Sequence, residues 1–270
     1  MKLRPEHCSV HTHSTHCDGK DTLEAMAAAA CAAGVRYFGA SSHSRTPVVS
    51  DVDFVMPTGP EDYRAAVLAL RAQYAGRMDV LLGVEWDRLS DIDPLEYDYW
   101  IGSVHYQLYQ DGQYYPSDKA LEDPDYKGDP FSAVERYYEQ VAEVAGMKPT
   151  ILGHIDLISR LNKGNRLFDE DGQRYRRAAL AALHAADPRE TLLEINTGGM
   201  ARGYRKRPYP ALFLLREWHD MGGRIMITSD SHRADTVIFG YKEAAEIAGA
   251  AGFARSTILT LSGQVECELD

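Results

Sequence analysis

A chain of 270 residues with 44% apolar side chains is long enough to bury a large core, and its formal net charge of −11 argues against a general binder of long nucleic acid or of acidic membrane surfaces. Its four cysteines, Cys8, Cys17, Cys31 and Cys267, are scattered with no C-x-x-C pair, which fits a reducing compartment. No window approaches ~18 apolar residues, and Met1–Val10 lacks a signal-peptide core, so a cytoplasmic protein with no membrane contact is expected, its oligomeric state left open.

Short β-type runs alternate with helical patterns. Cys8–Val10 is an opening run that delivers His11 and His13. A helix is expected over Leu23–Ala33, capped by Asp21 with Glu24 as capping-box partner and closed by Gly34. Val35–Ala40 leads to Ser41, Ser42 and His43. Pro60 opens a helix to about Tyr74, and Asp79–Val84 then delivers Glu85. Tyr99–Val104 leads to His105. The stretch from Gln107 to Pro130 is rich in Tyr, Asp, Gly and Pro, has no helical period, and reads as a functional loop or a surface excursion. Phe131–Ala145 is helical, and Thr150–Gly153 delivers His154. Gln173–Ala186 is helical, and Thr191–Ile195 leads to Asn196. Pro210–Met221 carries Leu212, Leu215 and Trp218 at helical spacing, and Arg224–Thr228 then delivers Ser229, Asp230 and Ser231. Tyr241–Ala250 is helical. Ser256–Leu261 is β-like but delivers no polar ligand.

Alternation of this kind implies α/β class and a parallel sheet. A closed barrel is favoured over an open sheet, because the polar groups come from the ends of six different strands and barrel sites are built that way. No repeat or linker divides residues 1–270, so one domain is expected. Six histidines (His11, His13, His43, His105, His154, His232) and three carboxylates (Asp18, Glu85, Asp230) fall at or just past strand ends. These are too many for one metal ion and suit two or three. Mixed imidazole and carboxylate donors fit zinc, iron or manganese better than magnesium or calcium. Such a cluster points to metal-assisted hydrolysis.

The stretch His11–Gly19 (HTHSTHCDG) resembles the first motif of the polymerase and histidinol phosphatase (PHP) superfamily. The resemblance continues in order through Ser41-Ser42-His43-Ser44, Gly83-Val84-Glu85-Trp86-Asp87, Gly102-Ser103-Val104-His105, Gly153-His154-Ile155-Asp156-Leu157, Glu194-Ile195-Asn196-Thr197 and Ser229-Asp230-Ser231-His232. The length and several of these motifs look most like the monofunctional histidinol-phosphate phosphatases. The resemblance implies a distorted (β/α)7 TIM-like barrel with a trinuclear metal centre at the C-terminal ends of the strands. It implies His11, His13, Glu85 and Asp230 around one ion, Glu85, His105 and His154 around a second, and Asp18, His43 and His232 around a third. It also implies hydrolysis of L-histidinol phosphate by attack of a metal-bridging hydroxide.

Beyond the ligands, Asp156 is a candidate acid for the leaving group, beside Glu85 and Asp230 as catalytic residues. Arg160 and Arg202 are the first candidates for holding phosphate, with Arg205 and Arg207 behind them, because a guanidinium fork matches a phosphate edge. His16 and Asn196 are candidates to face the substrate, and Asp87 to orient a ligand histidine. Tyr106, Tyr109, Tyr114 and Tyr115 could line a pocket for a flat group. His7, His184 and His219 lie off the strand ends and read as surface or packing residues, and Cys17 as a small packing residue. The competing readings are a related phosphoesterase acting on another small phosphate ester or nucleotide, an amidohydrolase-type barrel, which would want a ligand lysine not found here, and a metal store without turnover.

Overall fold

The computed structural model describes residues 2–46, 59–108, 114–117 and 129–269. Seven strands run parallel in the order of the chain: β1 (Cys8–Ser9), β2 (Tyr37–Ala40), β3 (Asp79–Asp87) and β4 (Tyr99–Ser103), then β7 (Ile151–Leu152), β8 (Leu192–Asn196) and β9 (Arg224–Thr228). Between β4 and β7 lies an antiparallel ladder of β5 (Tyr106–Leu108) and β6 (Tyr114–Pro116). The sheet curls until its outer strands meet just past their ends. There the Ser231 amide donates to His11 O (3.1 Å) and the His13 amide to Ser231 O (2.7 Å). The result is a nearly closed seven-stranded barrel wrapped by helices, as expected.

Period-two alternation explains how this barrel holds a polar site above an apolar floor. On β3, Val80, Leu82, Val84 and Trp86 face the surrounding helices, while Leu81 faces the barrel interior. Gly83, Glu85 and Asp87 follow Leu81 on the same face. The interior layer at the bottom is apolar: Cys8, Val10, Leu81, Tyr99, Ile101, Ile151, Leu192 and Met226. Two glycines make room for the largest of these. A Cβ on Gly39 would stand 2.3 Å from Tyr99 Oη, and one on Gly83 would stand 2.1 Å from its ring. The buried Tyr99 hydroxyl donates to Val10 O (2.5 Å) across the barrel.

The run over Ser256–Leu261 is not a barrel strand. As β10 (Arg255–Thr260) it pairs antiparallel with β11 (Gly263–Glu268), and the hairpin closes the floor with Ile258, Leu259 and Cys267. The helices are α1 (Leu23–Ala32), α2 (Gly59–Tyr74), α3 (Pro130–Gly146), α4 (Gln173–His184), the short α5 (Gly198–Ala201), α6 (Leu212–Asp220) and α7 (Tyr241–Ala251). On α1 the buried residues are Leu23, Met26, Ala27 and Ala30, an i, i+3, i+4, i+7 stripe. Its cap differs from expectation: Thr22 Oγ1 accepts from the Ala25 amide (3.2 Å), while Asp21 accepts from the Ala234 amide (2.8 Å) and ties the loop after β9. Gly34 follows α1 at φ +85°, a conformation a side chain would strain. Among the described residues no helix is long and apolar enough to cross a membrane.

Candidate metal centre

All nine side chains expected as ligands meet at the C-terminal mouth of the barrel. Their donor atoms form four overlapping groups, each with atoms within 4.8 Å of one another: His13, Asp18, His43 and His232; His11, His13 and Asp230; His11, Glu85 and His154; His43, Glu85 and His105. Glu85 stands at the centre. One oxygen, Oε1, faces His154 Nε2 (2.8 Å) and His105 Nε2 (3.2 Å). The other, Oε2, faces His11 Nε2, His13 Nε2 (both 3.3 Å) and His43 Nδ1 (3.0 Å). Asp230 Oδ1 reaches His13 Nε2 (3.2 Å) and His11 Nε2 (3.6 Å). Asp18 reaches His232 Nε2 through Oδ2 (3.0 Å) and His43 Nε2 through Oδ1 (3.5 Å).

These residues fit metal ions on their own chemistry. His11 Nε2, His13 Nε2, Asp18 Oδ1 and Glu85 Oε2 are buried and have no hydrogen-bond partner among the described residues. Buried polar atoms are almost always paired, so lone pairs left facing one another call for a shared cation. The charge balance agrees. Burial alone would keep these groups neutral, yet His43, His11 and His105 hold Glu85 well below the usual carboxylate range. Burial likewise opposes a charge on His11, but Glu194, Glu85 and Asp230 outweigh it and push its pKa up to about 10. Glu85 is therefore ionised among its imidazoles, while burial lowers the His43 pKa to about 3 and that of His232 below its ordinary value.

Further carboxylates fix the ring orientations. Asp87 Oδ2 accepts from the His105 amide (2.9 Å) and lies 3.1 Å from His105 Nδ1, the orienting role expected for it. Glu194, one pleat below the mouth on β8, received no role from the sequence. Its Oε1 lies 2.5 Å from His11 Nδ1 and accepts from Thr228 Oγ1 (2.7 Å), and its Oε2 accepts from the His154 amide (2.7 Å). The signal was present in the E-x-N-T stretch and in the alternation Leu192, Glu194, Asn196 on the inner face. Ser103 Oγ donates to Glu85 Oε1 (2.9 Å), and Cys17 Sγ lies 3.3 Å from His13 Nδ1, closer to the centre than a packing role required. Asp230 sits at φ +45°, an uncommon conformation held at the site.

A cavity of about 330 Å³ opens over the cluster, and Arg160, Arg202, Lys20, Arg233, Tyr204 and Leu157 complete its wall. Arg160 and Arg202 were expected there; Lys20, Arg233 and Tyr204 were not. Arg202 Nη2 donates to Asp230 Oδ2 (2.8 Å), and Nη1 lies 2.8 Å from His232 Nδ1, so this guanidinium also braces two of the nine. Arg160 lies over the Tyr204 ring, 5.4 Å from its centroid.

The other expected site residues sit elsewhere. Asp156 is fully buried and accepts from the Ala211 amide (2.9 Å); burial raises its pKa to about 6, against the pull of Arg205. It does not line the cavity. Asn196 is buried between Glu194 Oε2 (3.1 Å) and the Gly198 amide (2.8 Å), and so braces the site from below. His16 packs edge-on against Tyr63, with ring centroids 5.6 Å apart, outside the cavity wall. Tyr106 is buried beside His105, with centroids 6.4 Å apart, and Tyr114 is half-buried. Tyr109, the Tyr115 side chain and most of the loop to Pro130 lie outside the described residues.

Comparison with known proteins supplies the context. Over 252 residues the chain is 28% identical to a Deinococcus radiodurans protein named Probable histidinol-phosphatase, covering 88% of this chain and 90% of that one. Its fold is similar to the crystal structure of a Listeria monocytogenes candidate histidinol phosphatase, hisK (TM-score 0.72, 20% identity, 86% of this chain and 98% of that one). It is also similar to a Lactococcus lactis histidinol phosphate phosphatase solved with zinc, L-histidinol and phosphate (TM-score 0.68, 20% identity, 95% and 98%). Residues 7–198 match the PHP domain family, and with seven motifs in order along a barrel whose mouth gathers their histidines and acids, the chain belongs to that family.

Proposed function

We propose that this protein is a metal-dependent phosphomonoesterase that hydrolyses L-histidinol phosphate to L-histidinol and inorganic phosphate, in the cytoplasm and within histidine biosynthesis. The observation that carries the reading is the convergence of nine histidine and carboxylate side chains, several with unpartnered buried atoms, under a cavity edged by arginines. The likeness to a protein solved with zinc, L-histidinol and phosphate supports the substrate. Two or three divalent ions, zinc, iron or manganese, fit the donor set. His11, His13, Glu85 and Asp230 would hold one, Glu85, His105 and His154 a second, and Asp18, His43 and His232 a third. When bound, such ions polarise phosphoryl oxygens and lower the pKa of water towards ~7.

The chain's own residues do the rest. Glu194 and Asp87 keep the Nε2 lone pairs of His11 and His105 aimed into the centre. Arg202 holds Asp230 in place, and Arg160 presents its guanidinium to the phosphoryl oxygens, where negative charge builds as the ester P–O bond breaks. Lys20 and Arg233 add positive potential at the rim. Asp156 does not reach the cavity and is not assigned the leaving-group proton.

One observation favours a second reading, hydrolysis of another small phosphate ester. Every carboxylate lining the cavity, Asp18, Glu85 and Asp230, belongs to the metal groups, which leaves no separate acid there for a substrate ammonium among the described residues. The test is one assay with two measurements. Metal content is determined on the purified protein, and phosphate release is compared across histidinol phosphate, sugar phosphates, nucleotides and a diester. A clear preference for histidinol phosphate is expected. A preference for another ester replaces the substrate, and metal binding without turnover of any ester removes the enzymatic reading.

A further inference from the structure

A second, larger cavity of about 610 Å³ adjoins the catalytic one, and Tyr204 lines both. Its wall carries four cations, Lys163, Arg205, Lys206 and Arg207, and one carboxylate, Glu170. That carboxylate is already engaged: Glu170 Oε1 accepts from Asn162 Nδ2 (2.9 Å), and Oε2 lies 3.5 Å from Arg205 Nη2. Lys163 Nζ donates to Gly203 O (2.9 Å) and Arg205 Nη1 to Ser159 O (3.1 Å), so both are fixed by the wall itself. Lys206 and Arg207 are exposed, and among the described residues neither has an ion-pair partner.

We propose that this cavity is an accessory anion site that takes inorganic phosphate, the product expected of the neighbouring centre; the identity of that ligand rests on the phosphomonoesterase reading. In a chain of net charge −11, a cavity with four cations and one committed acid is a local positive basin. Such a basin gathers dianions within about 10 Å at 0.1 M salt and repels an ammonium or imidazolium group. The cavity therefore sorts the two halves of a cleaved ester, drawing in the phosphate and turning away a cationic alcohol. The Arg160–Tyr204 stack stands at the boundary between the two cavities.

Equilibrium dialysis of the full-length, metal-loaded protein against radiolabelled inorganic phosphate at low ionic strength tests this. K206A/R207A is expected to bind one phosphate fewer per chain than the unsubstituted protein, and K206E/R207E to show the same loss. Circular dichroism and an unchanged metal content report intact folding. Equal phosphate binding by the unsubstituted protein and both double variants overturns the site. Glu85→Gln separates this proposal from the one before it. That variant removes phosphate held at the metal centre only, so a failure of the centre leaves Glu85→Gln indistinguishable from the unsubstituted protein whatever the double variants do.

Discussion

Glu85 joins the two halves of the centre, since His105 and His154 meet one of its oxygens and His11 and His13 the other. Glu85→Ala should lower metal content by at least one ion per chain. Phosphate release should fall further than the ~10–100-fold typical of residues that only orient ligands. Glu194 is of that orienting kind: Glu194→Gln keeps the shape but loses the charge facing His11 Nδ1, and metal affinity or activity should fall about 10–100-fold in a titration against a competing chelator. Glu85 was legible in the sequence because it ends an apolar run. Glu194 carries no such mark because it lies inside an apolar run, where a carboxylate acquires meaning only once its cross-barrel partner is known. The cysteines divide in the same way. Burial pushes the Cys8 thiol up to about 12 and the Cys267 thiol to about 11, so both stay protonated at pH 8. Iodoacetamide on the native protein should modify Cys17 and Cys31 and spare those two, as read by peptide mass spectrometry. Modification of Cys17, beside His13, should reduce metal content.

At the level of elements, β2, β3 and β4 interlock through one aromatic ring. Tyr99 fills the space that Gly39 and Gly83 leave open, and its hydroxyl reaches Val10 O. Gly83→Ala would put a methyl group inside that ring. Overpacking of this kind costs about 1–3 kcal/mol, measurable as a lower midpoint in urea unfolding, with metal ligands untouched. An unchanged midpoint would mean that Tyr99 is free to move aside. The barrel strands were readable because each is an apolar run ending in a polar group, and the helices because apolar residues recur at 3.6 spacing. Of the β10–β11 hairpin, only the first half reads as a β-like run. Its second half, Gly263–Glu268, is mostly exposed and polar, so no pattern marked it. The α1 cap went to Thr22 because Asp21 found a distant amide, a choice made by tertiary structure and not by local sequence.

The whole molecule is divided along the barrel axis, apolar below, in the layer that includes Tyr99, and ionisable above. The two halves should stabilise the fold by separate means. Above, buried carboxylates and imidazoles face one another, and ions bound there stabilise the native state in proportion to the logarithm of their concentration over Kd. Below, Ile258 of the C-terminal hairpin shares one buried cluster with Leu81, Tyr99, Ile151 and Met226 and gains nothing from metal. Ile258→Ala should cost about 2–5 kcal/mol through lost burial and the cavity left behind. Chelation should independently lower the melting temperature of the unsubstituted protein. Distant sites with no shared partner add, so the loss from Ile258→Ala should be the same with and without metal, within about 0.5 kcal/mol. Calorimetry on the four combinations measures this directly. A larger loss in the chelated protein would show that the mouth and the floor are coupled through the Tyr99 layer, and that the metal centre helps hold the barrel closed from end to end.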